Sequence, residues 1–143
     1  MKPEFLDPLM RIADERKTQA ATELADRRRA LDSQEGRLAE LKRYAEEYGS
    51  PAPGMVRPAD LVNRVAFRAR IDSAVATQQG TVQTVRDHCE VDAARLLLAS
   101  RETQVLEKLA ASYRKQESTA NERKEQRDMD DLANRTPRAK PSE

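Results

Sequence analysis

Apolar residues recur along this chain in alternating steps of three and four, in two runs separated by one break. The first run carries Met10, Ala13, Ala20, Leu24, Leu31, Leu38, Leu41 and Tyr48. The second carries Leu61, Ile71, Val75, Val82, Val85, Cys89, Leu96, Ala99, Leu106 and Tyr113. A mean step of about 3.5 residues is the seam of a coiled coil, narrower than the apolar face of a globular helix. Between the runs stands Gly49-Ser50-Pro51-Ala52-Pro53-Gly54, where proline removes a backbone donor and clashes with the preceding turn. The pattern predicts an all-α fold: a long antiparallel two-helix coiled-coil hairpin, a rod whose second helix is longer than the first.

The expected segments are an N-terminal cap segment over 1–7, helix 1 over 8–48, a hairpin loop over 49–57, helix 2 over 58–135 and a disordered tail over 136–143. Asp7 can cap helix 1, and Pro8 and Pro58 suit first helical positions, where a missing N–H goes unnoticed. Gly36 and Gly80 fall on outward positions, each costing about 1 kcal/mol against alanine. Folding back about residue 53 sets position i beside roughly 107 − i, on the assumption of a short connection. Leu41 then approaches Ala66, Leu24 approaches Val82 and Val85, and Met10 approaches Leu96 and Ala99. The same arithmetic brings Lys17 close to Asp92, an expected register-fixing pair in a seam that also holds Arg27, Gln34 and Gln78. Beyond about residue 103 helix 2 outruns helix 1, and about 45 Å of single helix is expected to project. That projection carries Leu106, Leu109, Tyr113, Met129 and Leu132, and it either frays or is gripped by another protein.

Composition narrows the function classes. The 143 residues are 36% charged and 3% aromatic, with no Trp, too few large side chains for a thick core. Net charge is +1 with both signs interleaved, and the one basic run, Arg27-Arg28-Arg29, sits between Asp26 and Asp32. It reads as a solvated flank rather than a phosphate-binding face, so no nucleic-acid partner is expected. Met1-Lys2-Pro3-Glu4-Phe5 has no apolar signal segment, and Leu96-Leu97-Leu98-Ala99 is far too short to cross a bilayer. The expectation is a cytoplasmic protein without direct membrane insertion, with Cys89 a small buried hydrophobe on the seam. His88 has no second histidine at ligand spacing, and no glycine-rich phosphate loop or nucleophile elbow occurs. Asp128, Asp130 and Asp131 read as a solvated charge cluster, so the reading is a non-enzyme without cofactor or metal. Around the bend, Tyr44, Tyr48 and Phe67 gather beside Leu41, Ile71 and Ala74. Such a ridge either lids the coiled-coil end or marks a contact surface.

Several stretches carry a family likeness: the Leu6-Asp7-Pro8-Leu9 opening, then Gln34-x3-Leu38-x2-Leu41-x2-Tyr44-x3-Tyr48, then Leu61-x-Asn63-x3-Phe67-x3-Ile71-x2-Ala74. Leu106-Glu107-Lys108-Leu109 and Glu122-Arg123-x3-Arg127-x3-Asp131-Leu132 complete the series. In order, spacing and total length the chain resembles the FliJ/YscO family of coiled-coil proteins in type III export systems. The resemblance implies a stalk like the γ subunit of a rotary ATPase, inserted in the flagellar export ATPase hexamer and promoting its assembly and activity. It implies contact with the export-gate protein FlhA, recycling of export chaperones, and peripheral association with the inner-membrane export apparatus. The family's gate-contact pattern falls on Leu41, Tyr44, Tyr48, Phe67, Ile71, Ala74 and Gln78. By position on the projecting helix, Leu109, Tyr113, Arg123, Arg127 and Asp131 are the expected ATPase-ring contacts. A monomer is expected when the chain is free. Two other readings stay open at this level: the equivalent stalk of a virulence-type secretion system, and a helical chaperone or scaffold without ATPase coupling.

Overall fold

The computed structural model describes residues 4–49 and 57–135. The start of the expected cap segment, most of the expected loop and the expected tail lie outside the described residues. The described chain is all-α, with α1 over Leu6–Gly49 and the longer α2 over Pro58–Arg135 packed antiparallel against each other. α1 begins two residues before the expected position and takes Asp7 into its first turn. Pro8 does not oppose this, because N–H groups of a first turn have no intrahelical acceptor to lose. α2 opens at Pro58, where the Leu61 N–H donates to the Arg57 carbonyl at 3.0 Å.

The chain divides into two compact units, one of Met1–Arg16 with Ala99–Glu143 and one of Lys17–Leu98. In the second, Leu24 and Ala45 of α1 and Ile71 and Val82 of α2 are buried. Even Val82 keeps 4% of its surface, as expected of a core one seam wide. Ala45 belongs to the seam although the apolar reading stepped from Leu41 to Tyr48. The polar seam residues are paired across the helices. Gln78 Nε2 donates to the Gln34 carbonyl oxygen at 3.0 Å and to its Oε1 at 2.8 Å. Arg27 Nε donates to Asp92 Oδ2 at 3.1 Å, and Arg95 Nη1 lies 3.6 Å from Oδ1 of the same carboxylate. On the flank, Arg86 pairs with Glu35 at 3.1 Å.

These pairs correct the register. A fold-back about residue 53 would set Gln34, Tyr48 and Arg27 beside roughly residues 73, 59 and 80. Instead they meet Gln78, Phe67 and Asp92, so α2 is slid past α1 by about two turns, ~11 Å. The assumption of a short connection is what fails: residues 50–57 can span about 27 Å at ~3.4 Å each, so the bend does not impose symmetry. The expected Lys17–Asp92 pair is overturned with it. Lys17 is exposed, and the buried Asp92 carboxylate is held by Arg27 and Arg95. A further consequence is that the first two turns of α2 run past the end of α1. Leu61, Val62 and Val65 are therefore 56%, 67% and 65% exposed, although Leu61 continues the seam spacing.

In the other unit, Leu6 and Ala13 of α1 and Ala99 and Thr103 of α2 are buried. The Thr103 hydroxyl donates to the Ala99 carbonyl at 3.0 Å, which satisfies it inside the seam. Packing continues through the half-buried Leu106 and Ala110 to Tyr113, whose ring meets Phe5 edge-on at 6.5 Å and 86°. The paired region thus extends about ten residues further than the sequence arithmetic placed it, so Leu106 and Tyr113 belong to it. From Ser118 to Arg135 every residue is exposed, a length of about 27 Å.

Candidate functional site

Tyr48 and Phe67 form the centre of the candidate surface in the unit of Lys17–Leu98. Their rings meet edge-on, centroids 4.8 Å apart at 71°, an arrangement worth about 0.5–1.5 kcal/mol beyond area burial. Both remain nearly half exposed, as does Tyr44. Tyr48 is delivered by the last turn of α1 and Phe67 by the third turn of α2, so the slid register is what brings them together. Beside them lies a cavity of about 480 Å³ lined by Tyr48, Asn63, Arg64, Ala66, Phe67 and Arg70. A site of this composition offers aromatic edges and two guanidinium groups, suited to a peptide with apolar and acidic side chains.

The other expected gate-contact residues are placed less uniformly. Ile71 is buried in the seam, and Leu41 and Ala74 are half-buried. These three support the surface more than they form it. Gln78 spends its amide donor on Gln34. Neither periodicity nor a motif singles out Val62, Val65, Arg64 or Arg70 in the sequence. Only the register reveals Val62 and Val65, because their exposure follows from α1 ending short of the α2 start.

The expected ring-contact residues all fall in the unit of Met1–Arg16 with Ala99–Glu143. Arg123, Arg127 and Asp131 are on the exposed stretch from Ser118 to Arg135. Leu109 is partly exposed on the paired region, and Tyr113 is half-buried against Phe5. Among the described residues no group of three or more His, Cys, Asp or Glu could hold a metal ion, and Cys89 is a free, half-buried thiol. No helix of the described residues is long and apolar enough to cross a membrane.

No curated protein and no solved structure shows a significant match to the chain. The sequence model of one family, described as Flagellar FliJ protein, matches residues 1–142. A match over nearly the whole length agrees with the paired helices and their unequal lengths, and the chain accordingly belongs to the FliJ family and is a flagellar, export-related protein.

Proposed function

We propose that the chain is the cytoplasmic stalk component of the flagellar type III export apparatus, a monomer when free. In this reading it inserts in and promotes the export ATPase hexamer, contacts the export-gate protein FlhA and escorts export chaperones. It associates peripherally with the inner-membrane apparatus and performs no catalysis itself. The observation that carries the reading is the Tyr48–Phe67 pair with Tyr44 beside it, large aromatic side chains left half exposed next to the exposed Leu61, Val62 and Val65. Aromatic groups so placed are the usual anchors of protein contacts. Tyr44, Tyr48 and Phe67 serve as gate contacts, with Leu41, Ile71, Ala74 and Gln78 setting their position. Arg123, Arg127 and Asp131, on the exposed end of α2, meet the ATPase ring together with Leu109 and Tyr113.

The test is a titration of the purified chain into the export ATPase, reading ATP turnover and ring formation. Turnover should rise with the intact chain and fall back with a chain ending after residue 117, which keeps the Phe5–Tyr113 packing. An unchanged turnover with the intact chain ends the stalk reading and favours a scaffold without ATPase coupling. For the gate, Tyr44→Ala and Phe67→Ala should weaken binding to the cytoplasmic part of FlhA while far-ultraviolet dichroism holds. Affinity equal to that of the unchanged protein would make the aromatic surface a lid on the helix pair.

A further inference from the structure

The unit of Met1–Arg16 with Ala99–Glu143 has an apolar face of which the proposed ring contacts account only for Leu109 and Tyr113. Leu6, Met10 and Ala13 of α1 and Ala99, Thr103, Leu106, Ala110 and Tyr113 of α2 line its seam. In that frame Leu9 and Leu109 take the flanking g positions, and g lies against g in an antiparallel pair. Flanking positions usually carry ion pairs, yet here two leucines stand there, 45% and 39% exposed. Phe5, Ile12 and Val105 fall at the adjoining c positions on the same side and are also exposed. The opposite flank of the same seam is charged, with Asp7, Asp14, Glu107 and Arg114. Apolar excess on one side alone is not the ordinary fringe of a coiled coil. Two neighbouring g and c rows are what a third helix packs against when a helix pair becomes a bundle.

Charge specifies that helix further. Arg101, Lys108 and Lys115 recur every seven residues along the outer edge of this face, all exposed. None of the three has a carboxylate three or four residues away in either direction, and none makes an ion pair among the described residues. Most exposed cations of the described helices have a carboxylate three or four residues away, as Arg29 has in Asp26 and Arg68 in Asp72; Arg16, Arg70 and Arg123 lack one too, but they stand singly and do not recur at heptad spacing. We propose that this face docks an amphipathic helix of another protein, its apolar stripe against Leu9, Ile12, Val105 and Leu109 and a row of carboxylates along one edge facing Arg101, Lys108 and Lys115. The site is separate from the Tyr48–Phe67 surface and does not depend on the stalk reading. Leu109 is common to this face and to the proposed ring contacts.

The probe is a synthetic three-heptad helix with leucines at a and d and glutamates along one edge, fluorescently labelled and titrated with the full chain. Saturable binding is expected, weakening with added salt. Val105→Glu, at an exposed position, and the triple change Arg101→Glu, Lys108→Glu and Lys115→Glu, which leaves every apolar residue in place, should each weaken it at least about tenfold. The same helix with lysines in place of the glutamates should bind about tenfold more weakly. Binding that ignores the triple change, or an equal affinity for the lysine helix, would overturn the proposal, because apolar adhesion without charge recognition would then account for it. Self-association of the chain that Val105→Glu abolishes would also overturn it, by making the occupant a second copy.

Discussion

Removing the Asp92 carboxylate tests the register at its most informative point. Asp92 sits in the seam with its side chain 6% exposed, and Arg27 reaches it at 3.1 Å with 47% of its own side chain in solvent. A charge-assisted hydrogen bond contributes about 1.5–3 kcal/mol when sheltered. Solvent around the half-exposed guanidinium screens that to roughly 1 kcal/mol. The Arg95 contact, within one helix and 66% exposed on the arginine side, adds only a few tenths, about what such intrahelical pairs supply. A double-mutant cycle of Arg27→Ala and Asp92→Ala, read by urea unfolding of the far-ultraviolet signal, should therefore return a coupling of about 1 kcal/mol. The parallel cycle with Lys17→Ala should return a coupling within about 0.3 kcal/mol of zero. A Lys17–Asp92 coupling larger than the Arg27–Asp92 coupling would refute the slid register and restore the symmetric fold-back.

Other perturbations have simpler outcomes. A Cβ added at Gly36 or Gly80 meets nothing within 4 Å, so Gly36→Ala and Gly80→Ala should each raise unfolding stability by about 1 kcal/mol in the same assay. Gln78→Ala removes a donor shared by two Gln34 oxygens and should lower stability by about 1 kcal/mol; an unchanged midpoint would mean water replaces the amide without loss. Tyr113→Ala removes the edge contact to Phe5 and should increase amide-hydrogen exchange in the first two turns of α1, where a helix end without packing opens readily.

The parts of this fold that were legible are those fixed by periodicity and punctuation. Pro58 at the start of α2 and the step pattern through Leu24, Ile71 and Val82 needed nothing beyond the sequence. Register was not legible, because a three-four stripe fits its partner almost equally well after a slide of one heptad. Only specific polar reach separates such slides, and that depends on side-chain geometry. Both Lys17 and Arg27 are cations on the α1 seam, and arithmetic from an assumed short bend chose the wrong one. Ala45 and Thr103 escaped for a related reason, since small or hydroxylated seam residues carry little apolar signal although both are buried. The aromatic surface was legible as a cluster, whereas the exposed Leu61, Val62 and Val65 beside it required the register first.

Those exposed residues raise the question of why the helices do not slide back to cover them. Sheltering the exposed halves of Leu61 and Val65 would gain about 2 kcal/mol at the usual worth of apolar burial. The same slide would part Gln78 from Gln34 and Arg27 from Asp92, and a buried polar group left without a partner costs about 1–3 kcal/mol each time. It would also separate Tyr48 from Phe67, a loss of about another 1 kcal/mol. The opposing terms exceed the gain, so the polar seam holds α2 in the position that leaves its first turns uncovered. An all-apolar seam, with Asp92→Leu and Gln78→Leu, removes that opposition. It should melt higher yet let α2 slip, and spin labels on exposed positions of the two helices would then report more than one distance where the unmodified chain reports one.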